Sequence, residues 1–90
     1  MIGLEYICKI NDKQYNDLAE ELGIAKQNIN LWIKGRSRNI PKKYLPQLTE
    51  LFNVPNDYFQ KELTELDKLK LQKLKLIDDC NKFGLKLDEL

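Results

Sequence analysis

Residues 17–35 read DLAEELGIAKQNINLWIKG, and they carry the clearest structural signal in the chain. Apolar residues recur at spacings of three and four in its first part, and Gly23 follows them as a natural helix stop. A second amphipathic run comes next, with its apolar side chains on one face and amide and basic side chains on the other. The pattern predicts two short helices, over residues 15–22 and about 25–34, joined by a tight turn.

The sequence on either side predicts further helices and no convincing strand. Apolar residues form a stripe over residues 2–10, and another stripe follows Pro41, whose fixed φ suits the first turn of a helix. Pro55 opens another short turn. Thr64 and Asp67 are spaced as in a capping box, and they begin a tail helix of about 18 residues.

The length and the composition exclude several classes of protein. A chain of 90 residues buries little more than one hydrophobic core, and no apolar run approaches the roughly 20 residues that span a bilayer. We therefore expect no membrane-embedded segment. The first residues lack the basic region and the cleavage site of a signal peptide, so we expect a cytoplasmic protein.

Residues that serve in catalysis or metal binding are scarce. The chain has no histidine, a single serine at position 37 and no glycine-rich phosphate loop, so we expect no enzymatic activity. Cys8 and Cys80 lie in apolar surroundings without partners at metal-ligand spacing. We predict that both are buried, reduced thiols and that the protein holds no metal and no cofactor. A disulfide between them, or across a dimer, is the alternative.

Charge is distributed unevenly, although the net charge is only +1. Residues 22–49 contain no acidic residue, while six basic residues lie in this stretch. All 14 carboxylates of the side chains lie outside it. We therefore infer one basic face, which favours a site for a polyanion over an ordinary solvated surface.

The stretch at 17–35 resembles the helix-turn-helix of the phage Cro and C1 repressor family, also called the Xre family. The small residue Ala19, the turn residue Gly23 and the locking residue Ile29 carry this resemblance. The resemblance continues through PKKYLPQLTELFNVPNDYF at 41–59, which is similar to the fourth and fifth helices of that family.

The resemblance implies both a fold and a function. The implied fold is all-α, with a five-helix lambda-repressor-like helix-turn-helix domain over residues 1–60 and a C-terminal amphipathic helix within 61–90. The implied function is sequence-specific binding of double-stranded DNA, at an inverted repeat, by a homodimeric transcriptional regulator of repressor type. Two copies must pair, because such regulators bind half-sites roughly 34 Å apart.

By this resemblance, the helix at about 25–34 enters the major groove with its first residues toward the base edges. The expected base-reading residues are Lys26, Gln27, Asn30 and Leu31. Lysine donates to guanine, glutamine bonds adenine, and leucine contacts the thymine methyl group. The expected phosphate-contacting residues are Tyr15, Asn28, Lys34, Arg36, Arg38, Lys42 and Lys43. For Asn28, Asn30 and Lys34 the sequence does not decide between base and phosphate.

Three positions depart from the family pattern. Gln14 and Tyr15 stand where the family usually has a Ser or Thr cap and then a Gln that grips a phosphate. Tyr15 could donate its hydroxyl to a phosphate or pack inward, and both interpretations stay open. Ala25 replaces the usual polar cap of the recognition helix, which costs about 1 kcal/mol of helix stability.

The tail helix is the candidate for pairing two copies. Its expected dimerisation residues, at a and d spacing, are Leu66, Leu69, Leu76, Cys80 and Phe83. Further apolar residues widen this stripe beyond a two-stranded seam, so the helix could fold back on its own domain, pair with a second copy, or do both, and we favour both. The alternative function is an antitoxin, antirepressor or plasmid-maintenance adaptor whose tail binds a protein partner.

Overall fold

The computed structural model describes residues 1–34 and 39–86. Within these ranges the regular secondary structure is helical, which confirms the predicted all-α class. The α-helices of the described ranges are α1 Gly3–Ile10, α2 Tyr15–Leu22, α3 Lys26–Lys34, α4 Leu45–Phe52 and α5 Glu65–Lys82. Two 3₁₀ turns, Lys42–Tyr44 and Asn56–Tyr58, precede α4 and α5. No described helix combines the length and the apolar composition that crossing a membrane requires.

The first three helices lie where the sequence predicts them. Gly23 ends α2 with a left-handed φ of 70°; its backbone amide donates to Glu20, and the Ile24 amide donates to Ala19. Glycine allows this helix-ending pair of hydrogen bonds without a steric penalty. The N-cap of α2 is Gln14, whose side chain makes no capping hydrogen bond, so this end of the helix lacks the usual cap.

The fourth predicted helix is divided into two parts. The chain after Pro41 first forms the 3₁₀ turn at Lys42–Tyr44, which a 3.0 Å hydrogen bond from the Tyr44 amide to the Pro41 carbonyl closes. Pro46 explains the division, because it has no N–H to donate to the carbonyl four residues earlier. Asn53 ends α4 with a left-handed φ of 56°, in agreement with the predicted end.

The fifth helix that the resemblance implied is a single 3₁₀ turn, Asn56–Tyr58, in the described chain. The backbone beyond it is already paired elsewhere: the Phe59 carbonyl accepts a 2.8 Å hydrogen bond from the Leu4 amide. The Lys61 carbonyl accepts a 2.9 Å hydrogen bond from the Gly3 amide. The Leu63 amide donates to the Met1 carbonyl, so it does not close a helical hydrogen bond to Phe59, four residues earlier. Over residues 1–34 and 39–60, the expected five-helix domain therefore has four α-helices and two 3₁₀ turns.

One hydrophobic core joins all five helices and the turn before α5. The fully buried large side chains are Leu4, Ile7, Leu18, Ile29, Leu48, Phe59 and Leu71. Trp32 is also buried, as its position on the inner face of α3 predicts. Cys8 and Cys80 are both buried, as predicted, and no disulfide joins them in this structure. Since Leu71 belongs to α5, the tail helix folds back on the rest of the chain, as one of the predicted alternatives required.

The N-terminus and the segment before α5 are held together by backbone pairing. Gly3 lies so close to the Tyr58 carbonyl that a Cβ atom at this position would overlap it, so only glycine fits. The Leu63 amide donates a 3.0 Å hydrogen bond to the Met1 carbonyl, and the Met1 amino group pairs with the Glu62 carboxylate. The predicted boundary between residues 60 and 61 therefore falls inside a hydrogen-bonded segment.

The predicted capping box at the start of α5 is present, and the helix has the predicted 18 residues. The Thr64 hydroxyl accepts a 3.1 Å hydrogen bond from the Asp67 amide, and the Asp67 carboxylate accepts a 3.0 Å bond from the Thr64 amide. The Lys61 ammonium donates a further 3.0 Å hydrogen bond to this carboxylate. The backbone hydrogen bond from Thr64 and then the bond from Lys61 lower the pKa of Asp67 to about 2.

Candidate nucleic-acid interface

The two faces of α3 have opposite character. Ile29 and Trp32 are buried against the rest of the protein, so they fix the rotation of the helix about its axis. The opposite face carries the expected base-reading residues: Lys26, Gln27 and Leu31 are exposed, and Asn30 is half-buried. Since α3 begins at Lys26, the first two of these residues lie in its first turn, where the backbone amides have no partner within the helix.

Basic residues border α3 on the side of the Lys42–Tyr44 turn. The Trp32 and Tyr44 rings lie 5.4 Å apart between their centroids, and the Lys43 ammonium lies 5.1 Å from the centroid of the Tyr44 ring. A cleft of about 310 Å³ opens here, lined by Asn28, Trp32, Asn39, Pro41, Lys43 and Tyr44. The buried indole of α3 thus contacts the turn that carries the lysines, and the expected phosphate-contacting residues Asn28 and Lys43 line one cleft.

A side-chain clamp positions the chain that leads into this turn. Gln60 accepts a 2.9 Å hydrogen bond from the Ile40 amide through its Oε1 atom and donates a 2.8 Å bond to the Asn39 side chain through its Nε2 atom. Ile40 itself is buried in the core. Sequence analysis missed the roles of Gln60, Asn39 and Tyr44, because their partners are distant in sequence or lie in another element.

The lysines of this surface differ from most others in having no counter-charge. Within the described ranges, no carboxylate forms an ion pair with Lys26, Lys34, Lys42 or Lys43. Elsewhere Lys13 pairs with Glu21 at 2.7 Å, and Lys61, Lys68, Lys75 and Lys82 also have carboxylate partners. The four unpaired lysines belong to the acid-free stretch, so their positive potential is not neutralised by the protein itself. The remaining predicted phosphate contacts, Arg36 and Arg38, lie outside the described residues.

Tyr15 does not line the α3 cleft. It is half-buried at the start of α2 and packs against the core, which matches the inward alternative in part. It lines a second cavity of about 330 Å³ together with Glu5, Cys8 and Lys13. Burial raises the pKa of Tyr15, and Glu5 and Cys8 raise it further, so the phenol stays protonated and remains a hydrogen-bond donor. Burial also raises the pKa of the Cys8 thiol to about 12.

The expected dimerisation residues fall into two groups. Leu66, Leu69, Leu76 and Phe83 are exposed by 61%, 60%, 43% and 78% of their surfaces. Cys80 is buried, so it does not contribute to the surface that these four side chains form. The core-facing residues of α5 are different ones: Leu71 is buried in the core and Leu74 packs partly against it. The helix therefore packs on its own chain through one face and leaves a second apolar face exposed.

The described residues contain no group of three or more His, Cys, Asp or Glu side chains that could hold a metal ion. Comparisons with models of protein families, with curated proteins and with solved structures found no match to this chain.

Proposed function

We propose that this protein is a transcriptional regulator, of repressor type, that binds double-stranded DNA as a homodimer. In this proposal α2 and α3 form the helix-turn-helix of a lambda-repressor-like domain over residues 1–60, and α3 lies in the major groove. The observation that carries the proposal is the exposed face of α3, which has amide and ammonium groups at its first turn and a border of unpaired lysines. A duplex is the polyanion that such a helix fits.

The proposed base contacts follow from the exposed side chains of α3. Lys26 would donate to guanine O6 and N7, and Gln27 would bind adenine N6 and N7 through both ends of its amide. Leu31, which is 38% exposed, would contact a thymine methyl group. Asn30 is half-buried, so its side chain can approach a base in fewer orientations than the other three side chains. Each good bidentate contact discriminates between bases by about 1–3 kcal/mol.

The proposed phosphate contacts come from the border of this face. Lys34 lies at the end of α3, and Lys42 and Lys43 lie on the turn that contacts Trp32 through Tyr44. Arg36 and Arg38, between them in sequence, belong to the same proposed set. These groups would set the affinity and the register of the protein on the duplex, since phosphate contacts carry no base information.

The proposed homodimer uses the exposed face of α5. The four large apolar side chains of this face are exposed to water in a single copy, and contact with a second copy would remove them from water. Paired copies would present two α3 helices to half-sites about 34 Å apart on an inverted repeat. A cytoplasmic location is part of the proposal, since the duplex must be accessible. Binding of DNA in this way requires no catalytic group, metal or cofactor.

Selection from a randomised duplex pool, at near-physiological salt, tests this proposal. We expect the purified protein to enrich an inverted repeat whose half-sites are centred about one helical turn apart. Lys42→Glu should abolish the enrichment, whereas Lys70→Glu, which changes the charge equally on α5, should preserve it. Weak, salt-sensitive binding without any enriched sequence would contradict the proposal and favour an adaptor that acts through a protein partner.

A further inference from the structure

A groove lies between α5 and the turn that precedes it. Lys70, Lys73, Leu74 and Ile77 follow one another at spacings of three and four, so they form one stripe along α5. Pro55 and Tyr58 face this stripe and form the opposite wall of the groove, which has a volume of about 370 Å³. The stripe lies between the core-facing side of α5, to which Leu74 contributes, and the exposed face proposed for dimerisation.

The groove combines apolar walls with two unneutralised charges. Pro55, Tyr58, Leu74 and Ile77 supply the apolar surface. Three other lysines of α5 have carboxylate partners on the same helix: Lys68 pairs with Glu65 at 3.3 Å, Lys75 with Asp79 at 2.7 Å and Lys82 with Asp78 at 3.1 Å. Lys70 and Lys73 have no such partner among the described residues. The two lysines of α5 that lack a counter-ion are therefore the two that line the groove.

We propose that this groove binds an acidic amphipathic helix of a partner protein. The stripe from Lys70 to Ile77 spans two helical turns, roughly 11 Å, which suits a partner helix with apolar residues at spacings of three and four. Carboxylates beside those apolar residues would pair with Lys70 and Lys73 while the apolar side chains fill the groove. Such a partner would contact both α5 and the Pro55–Tyr58 wall, and so would couple the tail to the rest of the chain.

A second copy of this chain fits the groove less well. Apart from Asp57, the carboxylates of α5 and of the segment before it are already engaged: Glu65, Asp78 and Asp79 pair with lysines of the same helix. Asp67 is buried in the capping box, and Glu62 pairs with the amino group of Met1. Nucleic acid fits less well too, because the walls of the groove are apolar. This inference does not depend on the proposed binding of DNA.

Display of random peptides of about sixteen residues, selected on the immobilised full-length protein, tests the groove directly. We expect the enriched peptides to have apolar residues at helical spacing, flanked by Asp or Glu. Lys70→Glu and Lys73→Glu should each weaken binding of a synthetic enriched peptide by about tenfold. Lys9→Glu is the matched control, because Lys9 is exposed on α1 and makes no ion pair within the described residues; we expect its effect to be under about twofold.

Amide NMR shifts on titration with the enriched peptide should locate its site at residues 56–58 and 70–77. Enriched peptides without acidic residues, an equal loss of binding with Lys9→Glu, or the absence of any enriched peptide would overturn the proposal. Sedimentation analysis of the same variants tests whether a second copy of this chain occupies the groove. If Lys73→Glu converted a dimer into a monomer while Lys9→Glu did not, the groove would belong to a second copy, and the proposal would be wrong. Failure of DNA selection would leave all of these readouts unchanged.

Discussion

The side-chain amide of Gln72 on α5 donates a 2.6 Å hydrogen bond to the Tyr6 hydroxyl on α1, across 66 positions of sequence. The Lys68 ammonium lies 6.0 Å from the centroid of the same ring, so two polar groups of α5 contact one tyrosine. Leu71, between them in sequence, is buried in the core. These three contacts hold the tail helix against α1, which makes α5 part of the folded unit that carries α3.

We expect Tyr6→Phe to lower the free energy of unfolding by about 1 kcal/mol, because it leaves the ring in place and removes the hydrogen bond to Gln72. Urea unfolding followed by circular dichroism measures this change. Tyr58→Phe is the matched control, since the Tyr58 hydroxyl makes no hydrogen bond within the described residues; its effect should stay below about 0.5 kcal/mol. Equal losses in the two variants would contradict a stabilising role for the Gln72 contact.

Acid should weaken the start of α5 through Asp67. Its pKa in the folded protein is about 2, below the ordinary value of 3.8, chiefly because the Thr64 amide donates to the carboxylate. A lowered folded-state pKa means that this stabilisation is complete above the ordinary value and is lost as the pH falls from about 4 to about 2. Asp67→Asn should therefore lower the melting temperature at pH 7 and flatten its dependence on pH in that window.

Thermal unfolding between pH 2 and pH 7 measures this difference. Glu50→Gln is the control, since Glu50 is exposed and makes no ion pair within the described residues. The melting temperature of Glu50→Gln should depend on pH as that of the native protein does. If the melting temperature of Asp67→Asn fell below pH 4 as steeply as that of the native protein, other carboxylates would be the cause of the acid sensitivity.

Gly3 should tolerate no larger residue. A Cβ atom on Gly3 would overlap the Tyr58 carbonyl, so Gly3→Ala must separate α1 from the segment that pairs with it. We expect a loss of stability on the order of 3 kcal/mol, as for overpacking in a close contact. Gly84→Ala should cost only about 1 kcal/mol, since Gly84 has a left-handed φ of 69° but open space around it. Similar losses in the two variants, measured by urea unfolding, would contradict this explanation.

The sequence predicted the helices better than their contacts. Local signals were sufficient at Gly23, which ends α2, and at Thr64 and Asp67, which cap α5, because each acts on residues within one turn. The predicted fourth helix was too long at its start, because Pro46 has no N–H to donate to the Lys42 carbonyl and the first turn is a 3₁₀ turn. These features depend on neighbouring residues alone.

Features that join distant segments could not be predicted from the sequence. The pairing of residues 1–4 with 59–63 depends on backbone groups, which carry no sequence signal other than the glycine at position 3. The clamp from Gln60 to Asn39 and Ile40 joins polar side chains and amides about 20 positions apart. Heptad spacing placed Cys80 on the same face as Leu76 and Phe83, yet Cys80 is buried. Spacing predicts the direction in which a side chain leaves the helix, and it does not predict which other segments pack over that side chain.

The exposed face of α5 should control self-association. We expect Leu76→Asp to convert a dimer into a monomer while the rest of the chain stays folded, because an aspartate would be buried without a partner at the interface. Leu51→Asp is the matched control, since Leu51 on α4 is 42% exposed and Leu76 is 43% exposed. Sedimentation equilibrium gives the mass of each variant. A Leu76→Asp protein that remained dimeric would place the interface elsewhere.

Replacing a base-reading residue should weaken binding to particular DNA sequences, whereas replacing a phosphate-binding residue should weaken binding to every DNA sequence. Gln27→Ala removes an exposed amide from the first turn of α3, so it should relax the preference at one base pair by about 1–3 kcal/mol and affect other positions little. Lys43→Ala removes an unpaired charge from the turn beside Trp32, so it should weaken binding to every sequence and reduce the salt slope by about one. The same uniform loss is expected of Arg36→Ala. Binding isotherms on the selected duplex and on its single-base variants, at several salt concentrations, separate the two patterns; identical profiles for Gln27→Ala and Lys43→Ala would refute the division of roles between α3 and the basic turn.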